Sequence, residues 1–174
     1  MKLHIGCGND YKRGYINCDK SDKVMVDKVV DLEYPLPFKD NSFKEIIANH
    51  VLEHIYNFLP LMDEIYRICV NGAVIKIKCP FYAGWGQWND PTHVRVITPH
   101  TFDYFRKGNY SHETGCDRNM FEVVKCRMNY AVGRSKALNI IMNPLINLWP
   151  DFYQRFFAWT FPAAEVEFEL RVLK

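Results

Sequence analysis

The chain has 174 residues, 48% of them hydrophobic, which is enough for one well-buried core and short for two. Lys and Arg total 22 against 20 for Asp and Glu, and a net charge of +2 supplies no broad field of the kind that recruits nucleic acid. No apolar run approaches the roughly 18 to 20 residues of a membrane span. No basic-then-apolar leader follows Met1, and Cys7, Cys18, Cys69, Cys79, Cys116 and Cys126 contain no CxxC pair. A single domain over 1–174, cytoplasmic and with reduced, buried thiols, is the expectation.

Lys2 to Ile5 is short and apolar and ends at Gly6-Cys7-Gly8; Tyr15 to Cys18 is a second such run, ending at Asp19. Both read as buried parallel strands. Val24 to Leu32 contains a β-branched run, followed by Pro35-Leu36-Pro37 and the polar turn Lys39-Asp40-Asn41-Ser42, and Lys44 to Ala48 reads as a fourth strand. Over Val51 to Cys69, Leu52, Ile55, Leu59, Met62, Ile65 and Ile68 recur near helical spacing, with Asn71-Gly72 as the C-terminal stop. Ala73 to Cys79 is a strand stopped by Pro80, and an aromatic loop from Phe81 to Val96 leads to Thr98-Pro99, an N-cap and first-turn proline for a helix through Phe105. Phe121 to Met128 and Glu165 to Leu173 are the last strands; Val166, Phe168, Leu170 and Val172 alternate with polar residues, as in an antiparallel strand with one wet face. The pattern is that of an α/β fold: a Rossmann-like, mostly parallel sheet with an antiparallel C-terminal strand.

In such a sheet, ligands bind beyond the carboxyl ends of the strands. The residues there are a Gly6-Cys7-Gly8 bend that lets backbone approach a ligand, Asp19 where two ribose hydroxyls could donate, Asp31-Leu32 as a polar and an apolar contact for a base, and Asn49-His50. Singly, a GxG is often only a tight turn and a strand-end Asp often only a cap. As an ordered set, Leu3-His4-Ile5-Gly6-Cys7-Gly8-Asn9, Ile16-Asn17-Cys18-Asp19, Asp31-Leu32-Glu33, Leu36 to Phe43, Asn49-His50-Val51-Leu52-Glu53-His54 and Asn71-Gly72-Ala73 resemble the class I S-adenosylmethionine-dependent methyltransferases, in particular their small type 11 methyltransferase-domain branch. The resemblance spans about the first 80 residues and extends through Asp90-Pro91-Thr92-His93 towards Phe105. It implies a seven-stranded-type sheet and S-adenosyl-L-methionine as cofactor. It also implies that Gly6, Cys7 and Gly8 line the methionine part, Asp19 holds the ribose, Asp31 and Leu32 flank the adenine, and Asn49 and His50 close the pocket. His4 stands where the family often has an acidic residue, and the short interval from Gly8 to Asp19 requires a shortened or missing first crossover helix.

Two rivals fit less well. A dinucleotide fingerprint needs a third glycine where Tyr11 stands. His50-Val51-Leu52-Glu53-His54 fits the HxxEH pattern of inverted zinc peptidases, but His50 falls at a strand-helix junction instead of inside a helix, so no metal is assigned.

Residues 1–80 form the expected cofactor half and 81–174 the acceptor half. Tyr82, Trp85, Trp88 and Arg95 are candidate acceptor contacts. His93 is the candidate general base, because imidazole titrates near neutral pH, and Asp90 would orient it. His100 and His112 have no evident partner. Residues 131–162 are aromatic and apolar, broken by Pro144, Pro150 and Pro162, and read as short amphipathic helices over the sheet end: packed within the domain, or serving as a lid, a partner surface or a peripheral lipid contact. The expected activity is methyl transfer to a small-molecule or glycan-like oxygen. No Asn-Pro-Pro-Tyr type motif follows the fourth strand, which weakens base amino groups as targets. The reading from another class is a non-catalytic cofactor-binding or partner-binding protein with the same fold.

Overall fold

A computed structural model describes residues 1–106, 108 and 119–174; His112 and Cys116 lie outside the described residues. Strands β1 (Lys2–Ile5), β2 (Ile16–Asp19), β3 (Lys28–Val29), β4 (Phe43–Asn49), β5 (Cys69–Pro80), β6 (Phe121–Asn129) and β7 (Glu165–Val172) form one seven-stranded sheet in the order β3-β2-β1-β4-β5-β7-β6. The first five are parallel, and β7 runs antiparallel to both β5 and β6. Residues 6–15, the whole first crossover, contain no helix, so the expected shortening is complete.

The alternating register gives the sheet two unlike faces. Leu3, Ile5, Ile46, Ala48, Ile75, Ile77, Phe168 and Leu170 are buried in one core with Phe58, Leu61, Met62, Ile65 and Ile68 of helix α1 (Phe58–Ile68). The alternate positions carry ion pairs: Glu45 meets Lys2 at 2.8 Å and Lys76 at 2.9 Å, and Lys78 meets Glu167 at 2.6 Å. All of Val166, Phe168, Leu170 and Val172 are buried, as their alternation predicts.

Several local expectations are corrected. The helix over Val51–Cys69 is split into a 3-10 turn (Leu52–His54) and α1, because tertiary partners take the backbone between them. Glu33 accepts the N–H groups of Tyr56 and Asn57 at 2.8 Å each, and Arg95 donates to the Tyr56 carbonyl at 3.2 Å. Asn71-Gly72 does not stop the helix. It forms a bulge inside β5, where Phe43 faces Cys69 but Glu45 faces Val74, with Gly72 at φ 76°. The run Val24–Leu32 yields only the two-residue β3 on an exposed edge. The aromatic loop contains a short helix α2 (Trp85–Asn89), and the segment after Pro99 is a 3-10 turn (Thr101–Phe105) that Thr98 does not cap; Thr98 instead donates its N–H to the Thr101 hydroxyl. Cys7, Cys18, Cys69 and Cys79 are buried free thiols, whereas Cys126 is exposed.

The C-terminal helices α3 (Asn139–Leu148) and α4 (Pro150–Phe156) reverse the usual polarity. Asn139, Asn143 and Asn147, four apart and therefore on one face, bind the chain at the end of β6. Their carboxamide oxygens accept the N–H groups of Ala131, Tyr130 and Met128, each at 2.8 Å. Apolar residues occupy the outer side: Ile140 is 78% exposed, Trp149 68% and Trp159 67%. Packing of residues 131–162 into the domain is thus limited to a few anchors such as Ile146, Tyr153 and Ala158.

Candidate functional site

The carboxyl ends of β1, β2 and β4 and the segment after β3 open onto one cavity of about 620 Å³, within the range of small-molecule sites. Gly6, Gly8, Asp19, Asp31, Leu32 and His50 all line it. Gly6 is at φ 58°, and a Cβ there would lie 2.3 Å from Val51 Cγ2, so only glycine lets Val51 close the cavity floor. Gly8 is at φ 48° and its absent Cβ would meet nothing within 4 Å; the bend is open where a ligand would approach. Asp19 stabilises that bend, accepting the Gly8 N–H at 2.9 Å and the Ser21 N–H at 3.0 Å while still facing the cavity. Asp31 accepts the Glu33 N–H at 3.1 Å. Cys7 is buried behind the bend and Asn49 is not part of the lining.

His50 holds a left-handed conformation, φ 51°, unusual for a non-glycine residue and a frequent mark of a functional position. Its Nε2 lies 2.7 Å from Glu165 Oε1 at the start of β7, and its Nδ1 lies 3.5 Å from Glu53 Oε1. Glu165 foremost, and then Glu53, push its pKa up to about 9, so it is a cation at neutral pH and no base. This engagement also removes the zinc-peptidase arrangement: His50 precedes the 3-10 turn and does not share a helix with His54.

On the acceptor side, Pro91 and Thr92 reach the cavity, but the residues singled out around them do not line it. The His93 side chain is 7% exposed, and its Nδ1 donates to the Gln87 carbonyl at 2.8 Å. Asp90 Oδ2 is 3.9 Å from His93 Nε2, and Asp90 Oδ1 accepts the Thr92 hydroxyl at 2.6 Å. Tyr82 donates to the Gln154 carbonyl and Trp88 to the Tyr82 carbonyl, while Trp85 is 68% exposed. Arg95 stacks over Phe58 at 4.6 Å and clamps the chain at Tyr56. His100, without a partner in the sequence reading, bridges Asp103 and Asp151 at 2.9 and 2.8 Å.

The lining also includes Glu33, Val51, His54, Ile55 and Tyr56. Their signal in the sequence was position alone, directly after Asp31-Leu32 and Asn49-His50. Glu53, behind them, is fully buried, and neither carboxylate oxygen receives a hydrogen bond. One ligand atom each from Glu53, His54 and His93 lie within 4.8 Å of one another.

Residues 3–77 match the family model described as a methyltransferase domain. No curated protein sequence matches the chain. Among solved structures, the chain is similar to a SAM-dependent methyltransferase from Archaeoglobus fulgidus, with 16% identity over 98% of this chain and 85% of that one and a TM-score of 0.63. It is also similar to an S-adenosylmethionine-dependent methyltransferase from Mesorhizobium loti, with 13% identity over 98% of this chain and 89% of that one and a TM-score of 0.57. The [4+2]-cyclase SpnF matches at 15% identity over 99% of this chain and 74% of that one, with a TM-score of 0.61. At such identities the structures establish the fold, and that fold agrees with the family match over the strands that frame the cavity. Residues 3–77 are thus similar to a methyltransferase-domain family, and 98% of the chain shares the fold of the solved S-adenosylmethionine-dependent methyltransferases it resembles.

Proposed function

We propose that the protein transfers a methyl group from S-adenosyl-L-methionine to an oxygen of a small-molecule or glycan-like acceptor. The observation that carries this reading is the convergence of Gly6, Gly8, Asp19, Asp31, Leu32 and His50 on one cavity. A nucleoside with a flexible tail fits that wall: an open bend at Gly8 for the tail, a carboxylate at Asp19 for two ribose hydroxyls, and Leu32 beside Asp31 for a purine face and its amino group. Cys7 and Asn49 remain proposed cofactor contacts beside this lining, and the His50 cation offers a charge for a carboxylate.

The cofactor supplies an activated methyl on a sulfonium. The chain's own work is to hold the acceptor in line, at about 3 to 3.5 Å from that carbon, and to exclude water. Thr92, Pro91 and His54 form the wall on the acceptor side. His93 with Asp90 remains the proposed acid-base pair, but the burial of His93 requires the segment around α2 to shift before it could touch an acceptor as a base. That segment also carries the proposed acceptor contacts Tyr82, Trp85, Trp88 and Arg95. Titration of S-adenosylhomocysteine by calorimetry tests the core of the reading, and absence of binding would remove it. SpnF, a cyclase on this fold, favours a second reading in which the protein binds the cofactor without methylating; binding with no labelled methyl transferred to any cell-extract acceptor would support that reading.

No described helix is long and apolar enough to cross a membrane. We place the protein in the cytoplasm, with peripheral lipid contact through 131–162. The outward Ile140, Ile141, Leu145, Leu148, Trp149 and Trp159 support that contact, since apolar and indole side chains partition to the bilayer interface. Co-sedimentation with phosphatidylglycerol vesicles tests it, and failure to sediment would discard it.

A further inference from the structure

We infer that Glu53, His54 and His93 form a binding site for a divalent transition-metal cation at the acceptor end of the cavity. One ligand atom from each lies within 4.8 Å of the others, and the His54 and His93 rings meet edge to face with centroids 4.7 Å apart.

Hydrogen bonding fixes which nitrogen of each imidazole is free. A carbonyl can only accept, so His93 Nδ1, 2.8 Å from the Gln87 carbonyl oxygen, carries a proton, and Nε2 is the nitrogen that a metal ion would take. The Thr92 hydroxyl gives its single proton to Asp90 Oδ1 at 2.6 Å. His54 Nδ1, 3.0 Å from that same hydroxyl oxygen, must therefore donate to it, and His54 Nε2 is likewise the nitrogen left for the ion. The two imidazoles thus turn Nε2 towards a common point, each held by a hydrogen bond on its other nitrogen, which is how metal-binding histidines are oriented.

The carboxylate is the second observation. Glu53 is completely buried, and neither of its oxygens accepts a hydrogen bond; the nearest cation is His50 Nδ1 at 3.5 Å. Its ion pair with His50 engages Oε1 at 3.5 Å and leaves lone pairs on both oxygens for a second cation. The main chain keeps the group assembled, because the Glu53 carbonyl accepts the N–H groups of Val94 and Arg95 at 2.9 and 3.1 Å, fixing the His93 segment on the turn that carries Glu53 and His54. Two imidazole nitrogens and one carboxylate oxygen suit Zn²⁺, Mn²⁺, Fe²⁺ or Co²⁺ better than Mg²⁺, and three protein ligands leave positions open. Asp90 acts through Thr92 as a positioning residue.

Use of the ion in catalysis rests on the methyl-transfer reading: a cation beside Thr92 would bind an acceptor hydroxyl and lower its pKa, so that its proton passes to solvent water instead of to His93, whose Nε2 would hold the metal. Binding itself does not rest on that reading. The test is calorimetric titration of chelator-treated full-length protein with Zn²⁺ and Mn²⁺, together with the visible spectrum of the Co²⁺ form. One equivalent should bind. His54→Ala and His93→Ala should each weaken it by about 100-fold, and the surface variant Asp90→Ala, which spares the buried core, by about 10-fold or more. The Co²⁺ spectrum should lack thiolate charge-transfer bands, and Cys126→Ser should bind as the parent does. No saturable binding, affinity unchanged in the histidine and Asp90 variants, or a thiolate spectrum would overturn the site. A parallel titration with S-adenosylhomocysteine separates the two ideas: metal binding without it sinks only methyl transfer, and the reverse outcome sinks only the cation site.

Discussion

The backbone N–H of Gly8 donates to Asp19 Oδ2 at 2.9 Å, joining the bend after β1 to the tip of β2 across ten intervening residues that contain no helix. A full crossover helix would direct its N-terminal N–H groups at a ligand and cover one face of the sheet. Here a single carboxylate does part of that work, closing the glycine bend with one oxygen and taking the Ser21 N–H with the other. Both oxygens keep lone pairs for ligand hydroxyls.

Asp19→Ala should therefore weaken S-adenosylhomocysteine by about 100-fold, since it removes charge-assisted hydrogen bonds worth roughly 1.5 to 3 kcal/mol each. Calorimetry measures this directly, and parent-like affinity would show that the ribose site is misplaced.

The two glycines of the bend separate fold from binding. Gly6→Ala forces a methyl group to 2.3 Å from Val51 Cγ2 at φ 58°, and should lower stability by about 2 to 4 kcal/mol in chemical denaturation. Gly8→Ala meets no atom within 4 Å and bears only the left-handed backbone penalty of about 1 kcal/mol. Its new methyl group projects where the cofactor tail is proposed, so affinity should fall while the unfolding midpoint moves little; the opposite pattern would place the tail elsewhere.

The strands and their order of tips were legible because a parallel strand is a local apolar run ended by a local signal: Ile5 before Gly6, Cys18 before Asp19, Ala48 before Asn49-His50. What was not legible depends on distant partners. The periodic run Leu52 to Ile68 reads as one helix until Glu33 and Arg95 take its backbone groups at Tyr56 and Asn57. His93 looks like a free base in a loop until Gln87, inside a short helix of that loop, accepts its Nδ1 proton. The sequence of α3 leaves open which side packs inward, and only the far end of β6 reveals that the asparagines do so.

The ion-paired face of the sheet gives a pH prediction. Glu45, with Lys2, Tyr15 and Lys76 around it, has its pKa lowered from 4.5 to about 2, the Lys2 contact being the largest cause. A carboxylate whose folded pKa is depressed stabilises the fold above its unfolded pKa and loses that contribution as pH falls from about 4.5 to about 2. Glu45→Gln should thus lower stability at pH 7 by about 1 to 2 kcal/mol, an allowance for the half-exposed lysines. Near pH 2 the parent and the variant should unfold alike; a gap that persists there would mean that the residue acts through packing and not through charge.

The reversed helix α3 supplies the last contrast. Asn143 is 3% exposed, accepts the Tyr130 N–H at 2.8 Å and donates to Asn129 Oδ1 at 3.1 Å. Asn143→Leu keeps the volume but strands a buried N–H, and should cost about 1 to 3 kcal/mol. In an ordinary amphipathic helix the isoleucines would be the costly positions. Here Ile140→Glu, at a site 78% exposed, should change stability by no more than about 0.5 kcal/mol. The same variant should weaken vesicle binding if this face meets lipid, because it places a carboxylate in the apolar stripe. Thermal unfolding and co-sedimentation on the two variants separate the roles of the two faces: Asn143→Leu should fail in the first measurement, and Ile140→Glu only in the second.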